Sequence, residues 1–341
     1  MYQDGGGGLV MNSELPPPGG FMTATTDFEI PAEADLDRAP GLLDGAMGLE
    51  LTPQTCNLEY WLGAVAQGTL RGLVKGGHRA DAIVPAWMRE PGPLREALIE
   101  EFAFRSIAEE KATRALSYLV LNAPDVDCME FFATQLIDEA RHSSVFRGHL
   151  LELGVSQDEL ADVIERVAGA DRDAVLVPLE GFGLPLGRDH GDFIGGVIVL
   201  TVLVEGVLAP AAELSERKWR LLDPAAAEIE RAAGVDEIRH LTVGSAIVKQ
   251  YLEAHPEELP RLKDLIERGR SMWGSLPVLE MILRREKLFQ EGMQQLSHVL
   301  GDYELAPGKP LVDSTPEERL MMAATWSMQM QDSRLAYMGL G

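Results

Sequence analysis

Asp138-Glu139-Ala140-Arg141-His142 and Asp236-Glu237-Ile238-Arg239-His240 carry one pattern, D-E-x-R-H, at two places 98 residues apart. Both lie in sequence with helical apolar spacing, where positions i and i+3 share a face, so each copy sets a carboxylate beside an imidazole. A single E-x-x-H pair is common by chance. A five-position pattern with four residues repeated, in a chain with only seven histidines, is rare, and it points to a dinuclear metal site.

Such a site needs more ligands than two pairs supply. Glu109 precedes Glu139 by 30 residues and Glu205 precedes Glu237 by 32. At about 1.5 Å rise per residue, that separation is the path along one helix, round a short connection and back to the same depth. The series Glu109, Glu139, His142, then Glu205, Glu237, His240 is a near twofold repeat of six candidate ligands. Hard carboxylates with two imidazoles suit iron or manganese and leave positions free for dioxygen. Glu110 is the rival of Glu109, since neighbouring helical residues cannot face the same ion. The face of Glu109, with Phe102, Ser106, Ala112, Thr113 and Leu116, is the more uniformly apolar and small, which favours Glu109.

Around this core the pattern is helical throughout, with no strand series and no glycine-rich phosphate loop. Residues 1–50, with Gly5-Gly6-Gly7-Gly8 and Pro16-Pro17-Pro18, read as a largely flexible segment whose later part packs on the body, and residues 51–341 as a single helical domain. A helical pattern at about 55 to 75 contains Leu58, Trp61, Leu62, Val65 and Leu73. The four ligand-bearing helices are expected at about 93 to 121, 126 to 153, 191 to 219 and 223 to 254, with Gly154 as a C-cap and Asp223-Pro224 as Ncap and N1. A smaller helical pattern at 156 to 168 leads into Gly181-Phe182-Gly183-Leu184-Pro185-Leu186-Gly187, which reads as a loop, a surface connection rather than a cover for the bundle mouth. Pro210, five residues after Glu205, is expected to bend its helix. Further helices are expected at 257 to 273, 275 to 300 and 315 to 337.

Composition narrows the function classes. The 341 residues, 46% of them apolar, are enough for a sizeable core. A net charge of −24 argues against nucleic acid as a partner. Cys56 and Cys128 are too few for a disulfide framework, and with no basic-apolar leader the cytoplasm is the expected compartment. The longest apolar stretch, residues 193–209, is short for a membrane span and carries Glu205, so no membrane role is expected. A buried carboxylate there would cost several kcal/mol without a metal or hydrogen-bond partner.

The doubled D-E-x-R-H with its two upstream glutamates resembles the ferritin-like non-heme di-iron carboxylate oxygenases, a group that includes the ribonucleotide reductase radical subunit, over residues 95–253. The resemblance implies an all-α, ferritin-like helical bundle with extra helices, two iron ions cycling between Fe2+ and Fe3+, dioxygen as co-substrate and an external electron donor. It implies that Asp138 bonds the far ring nitrogen of His240 and Asp236 that of His142, with Arg141 and Arg239 neutralising those acids. Phe146 stands where the radical subunit has its tyrosine. Ala209 stands where monooxygenase hydroxylases carry a threonine, with Thr201 offered as a stand-in, and Ala233 where arylamine N-oxygenases add a histidine.

The implied activity is oxygenation of a small molecule. Size and motif are similar to the natural-product N-oxygenases of the valanimycin-pathway type, which implies N-oxygenation of an amine or hydrazine to an azoxy-type product. C-hydroxylation or desaturation, and iron binding without turnover, stay open. The partners implied are a small-molecule substrate and a redox partner supplying electrons, with a homodimer left open. His149 reads as an interior histidine and His190 as a substrate candidate; His78, His255 and His298 receive no role.

Overall fold

The computed structural model describes residues 30–66 and 76–341. Residues 1–29, most of the stretch expected to be flexible, and Leu73 of the early helical pattern lie outside the described residues. A short helix α1 (Leu42–Gly48) is followed by α2 (Leu58–Tyr60), which continues as a π-helical turn over Trp61–Val65. The two long helices α3 (Pro93–Asn122) and α4 (Val126–Glu152) form a hairpin. Next come α5 (Leu160–Asp171), α6 (Val177–Arg188), α7 (Phe193–Trp219) and α8 (Pro224–Ala254). The chain closes with α9 (Leu259–Ser275), α10 (Val278–Gln295), α11 (Ser297–Leu300), a minimal hairpin of β1 (Glu304–Ala306) with β2 (Lys309–Pro310), and α12 (Pro316–Met338). The described chain is an all-α bundle with that one hairpin.

The helix ends follow local chemistry. Asp125 and Asp223 cap α4 and α8 by accepting from the backbone N–H groups of Cys128 and Ala226, and Pro224 takes the first helical position. Gly154 adopts φ +89° just past α4, the left-handed conformation that a helix end uses and glycine tolerates. Thr315 and Glu318 form a capping box at the start of α12.

Helices α3 and α4 run in opposite directions, with the Phe102 and Phe146 rings 4.9 Å apart and Ser143 Oγ donating to Ser106 O at 2.7 Å. In the second pair, α7 and α8, Ser215 meets Glu230 at one end and Thr201 meets Gly244 at the other. The close approach requires that glycine: a Cβ on Gly244 would sit 2.2 Å from Thr201 Oγ1. Helix α8 is the centre of the molecule, every residue from 232 to 248 being buried. Helix α1 packs on it through Leu42 and Ala46, against Ile238 and Leu241.

Helix α7 is long and apolar enough to cross a membrane, but 78% of its apolar window is buried inside the bundle. It is not a regular α-helix. Residues Val199–Glu205 are π-helical, and the Gly206 N–H reaches back five residues to Thr201 O. The distortion therefore lies before Pro210, which continues inside the helix, and not at it. Carbonyls loosened around the stretch are taken up from outside: Gln331 Nε2 donates to Val202 O at 2.9 Å, Trp273 Nε1 to Leu203 O, and Ser327 Oγ to Val207 O at 2.8 Å.

The glycine- and proline-rich segment 181–187, expected as a loop, is part of helix α6. Pro178 fits the first turn of that helix, where no N–H is needed. Its glycines permit close packing, Gly183 on Val199 and Gly187 on Tyr118, where a Cβ would come within 2.9 and 3.0 Å. Counting glycines as breakers misses this use of them as contact surfaces.

Candidate metal centre

Helices α3, α4, α7 and α8 bring Glu109, Glu139, His142, Glu205, Glu237 and His240 into one buried region. Glu139, on α4, is the hub. Its Oε2 lies 3.2 Å from His142 Nδ1 and its Oε1 lies 3.1 Å from His240 Nδ1. Two groups able to hold a metal ion share it: Glu109, Glu139 and His142, and Glu139, Glu237 and His240, the ligand atoms within each lying within 4.8 Å of one another. Glu205 stands outside both groups. It faces the charge of Glu237, and its Oε1 accepts from Gln135 Nε2 at 2.5 Å. Glu110 points away, half exposed and paired with Arg114 at 2.7 Å, so of the two neighbouring acids Glu109 faces the centre.

Behind the histidines lies a crossed set of bonds. His142 Nε2 meets Asp236 Oδ2 at 3.1 Å, and His240 Nε2 meets Asp138 Oδ2 at 3.5 Å. Arg141 donates to Asp236, and Arg239 donates to Asp138 and, at 3.4 Å, to Asp236. Each copy of the motif thus supplies the aspartate that holds the other copy's histidine and the arginine that holds the other copy's aspartate. With Nε2–H donating to the acid, Nδ1 of both rings is turned toward Glu139. Trp61, from α2, completes Asp138 by donating at 3.0 Å.

The electrostatics are those of crowded carboxylates in a dry site. Burial and the charge of Glu139 push Glu109 well above the ordinary carboxyl range, and burial with Glu237 does the same for Glu205. Burial acts the same way on Glu139, but the imidazoles of His142 and His240, 3.2 and 3.1 Å from its oxygens, outweigh it and hold this carboxyl well below that range. For His142, burial favours the neutral ring, yet bonding to Asp236 and Glu139 holds it up to about 10. The protein without metal thus stores protons on the groups that a cation would neutralise.

Four buried atoms make no well-formed hydrogen bond among the described residues: Glu139 Oε1 and His240 Nδ1, which face each other at 3.1 Å without hydrogen-bond geometry, Glu237 Oε2, 3.6 Å from the same nitrogen, and Glu205 Oε2. Leaving polar atoms dry and unpaired is costly. All four are oxygen or imidazole donors of the six-residue set, so the donor chemistry fits two hard or borderline divalent ions. The remaining buried atoms without a hydrogen bond belong to arginines: Arg239 of the crossed set, and Arg285 and Arg334 elsewhere.

A cavity of about 240 Å³ opens onto Glu109, Glu139, Glu205 and Glu237. Ala209 and Ala233 line it, so the positions where the implied relatives carry a threonine and an extra histidine are open space. Thr201 is buried against Gly244 and is not part of the lining. His190 is exposed and also outside it. Phe146 is buried against Phe102.

His149 is interior as expected, held by Asp223 at 3.1 Å and Glu152 at 3.2 Å, and His78 reaches the same Glu152. Reading motifs alone misses Trp61, which is 77 residues from its partner and announced by no local signal. It also misses Arg105, one turn before Glu109, which lines the cavity and pairs with Glu230 Oε2 at 2.6 Å. Burial pushes Glu230 up to about 7. The spacings of Arg105 to Glu109 and of Glu230 to Glu237, i to i+4 and i to i+7, are the signals that a search of the ligand faces uses. No protein-family model matches the chain and no curated protein matches it in sequence, so its function is read from this geometry and the motif alone.

Proposed function

We propose that this chain is a non-heme di-iron oxygenase with a ferritin-like core, acting on a small molecule with dioxygen and an external electron donor. The observation that supports it most is that four buried donor atoms of the six-residue set lack a well-formed hydrogen bond, three of them on carboxylates that line the cavity. Two iron ions, when bound, supply the electrons and Lewis acidity that dioxygen activation needs. The chain's residues do the rest. Glu139 lies between the two histidines and, shared by both donor groups, would help to hold either ion. Asp138 and Asp236 fix the ring tautomers, and Gln135 holds one oxygen of Glu205. The apolar cavity excludes water from the reacting atoms. One oxygen atom enters the substrate and the other leaves as water, with two electrons from the donor and two protons.

Oxygen insertion at nitrogen is the leading form of this reading: one turnover oxidises an amine or a hydrazine by two electrons, and a hydrazine reaches an azoxy-type product in two such turnovers, the first giving the azo compound and water and the second adding the oxygen. It rests on the resemblance to the natural-product N-oxygenases. The cavity favours turnover over passive iron binding, because a binding protein has no need of an apolar chamber at the ligands. The test is to load the protein with iron, reduce it and supply labelled dioxygen with candidate amines and hydrazines. Two irons per chain and label on nitrogen are expected. Label on carbon, or an alkene without label, replaces the leading form by hydroxylation or desaturation; full iron loading in His142→Ala and His240→Ala removes the metal assignment.

A further inference from the structure

The cavity does not end at the metal-ligand carboxylates; it passes them. On α3 its lining runs from Glu101 to Leu119, with Glu109 near the middle, which is about 27 Å of helix at ~1.5 Å per residue. On α7 it runs from Gly196 to Lys218, with Glu205 again inside the span. The two helices are antiparallel here: Lys218 and Trp219 meet Glu101 at one end, and Gly196 meets Leu119 at the other. Two independent walls therefore place the carboxylates partway along an elongated chamber with an arm on each side. One arm lies between the first half of α3, the second half of α7 and α10, with Phe104, Leu214, Met281 and Ile282 in its wall. The other lies between the second half of α3, the first half of α7 and α6, with Ala115, Leu119, Leu184 and Val199.

The charges along both arms are already matched. Lys218 pairs with Glu286 and lies 3.7 Å from Glu101, Arg105 pairs with Glu230, Lys111 with Glu180, and Arg285 with Asp171. Paired charges offer a ligand no net charge to neutralise, and the walls between them are aliphatic and aromatic. From this we propose that the ligand is a neutral, elongated molecule with an apolar substituent in each arm, and that its reacting atom is internal, flanked on both sides. An N,N′-dialkylhydrazine fits this description, whereas a terminal amine fills one arm only. The inference rests on the oxygenase reading for what happens at the internal atom, but the two-armed binding does not depend on the metal.

The test measures binding of 1,2-dibutylhydrazine and of butylhydrazine to the full chain by calorimetry, without metal and again with iron under anaerobic conditions. Variants Ala212→Phe and Ala115→Phe obstruct one arm each, and Ala212→Val and Ala115→Val do so more gently should the larger side chains impair folding. A buried methylene is worth about a factor of four in affinity, so the dialkyl probe should bind wild type at least roughly tenfold more tightly than the monoalkyl probe. Obstruction of either arm should weaken the dialkyl probe by about tenfold or more, while the monoalkyl probe loses to one obstruction at most. Loss of the dialkyl probe to only one obstruction, equal binding of the two probes to wild type, or loss of the monoalkyl probe to both obstructions overturns the two-armed assignment. Failure of the oxygenase reading is separate: it appears as absent iron binding while the probe results on metal-free protein stand.

Discussion

Replacing Asp138 by asparagine is the sharpest test of the crossed bonds behind the histidines. The side chain keeps its shape and an oxygen for Trp61, but loses the charge that Arg239 faces. Arg239 is 3% exposed, and its remaining acid contact is Asp236 at 3.4 Å. Breaking a buried ion pair from one side costs about 3–5 kcal/mol, because the other charge stays in a dry place without compensation. His240 meanwhile loses the acceptor at 3.5 Å that orients it, and removal of such a partner lowers metal affinity about 10 to 100-fold, or about 1.4–2.8 kcal/mol. Urea unfolding of metal-free protein reads the first effect and competition against a chelator the second. Adding Arg239→Met should recover much of the stability without recovering the affinity, because it removes the stranded charge but does not restore the acceptor. If Asp138→Asn changes stability by less than about 1 kcal/mol and leaves metal affinity intact, the reasoning is refuted.

Three further outcomes follow from other parts of the molecule. Glu109→Gln should lose one of two bound metal ions while Glu110→Gln keeps both, as metal analysis of the purified proteins would tell; equal loss in the two would reassign the ligand. His149 has its pKa raised to about 9 from 6.5: burial opposes the charged ring, but bonding to Asp223 and Glu152 prevails. Its contribution is therefore complete below 6.5 and lost as pH rises through about 9, so the stability gap between wild type and His149→Gln should narrow by up to about 3 kcal/mol over that window, and a pH-independent gap would contradict it. Gly292→Ala would set a Cβ 2.5 Å from the backbone nitrogen of Leu94, which cannot rotate away; a loss of about 1–3 kcal/mol or more in the urea midpoint analysis is expected, and a neutral result would mean that α10 can shift off α3.

The sequence carried the centre better than its surroundings. Ligand faces repeat at helical spacing, so Glu139 with His142 and Glu237 with His240 were readable as pairs, and the preceding aspartates with them. Asp223-Pro224 and Thr315-Pro316 announced helix starts because capping is local chemistry. Non-local contacts left no such mark. Trp61 reaches Asp138 across the fold, and nothing in its neighbourhood distinguishes it from a packing residue. The helix at Val177–Arg188 was hidden because glycine and proline favour breaks on average, whereas here tertiary contacts with Val199 and Tyr118 decide. The π-helical stretch was invisible for a related reason: where the side chains are apolar but for Thr201 and Glu205, a change of period puts too few polar residues out of place to betray it.

That stretch has a consequence for how the molecule can be modified. A π-helical segment holds a surplus residue within an otherwise regular rod, and the strain of that surplus is borne by Gln331, Trp273 and Ser327, from α9 and α12. None of these three belongs to the ligand set. They act as a splint on the backbone that carries Glu205, so the compliance of that carboxylate is governed from the C-terminal third of the chain. Mutational drift in α12 can shift the position of Glu205 while the six donor residues and the cavity lining stay unchanged.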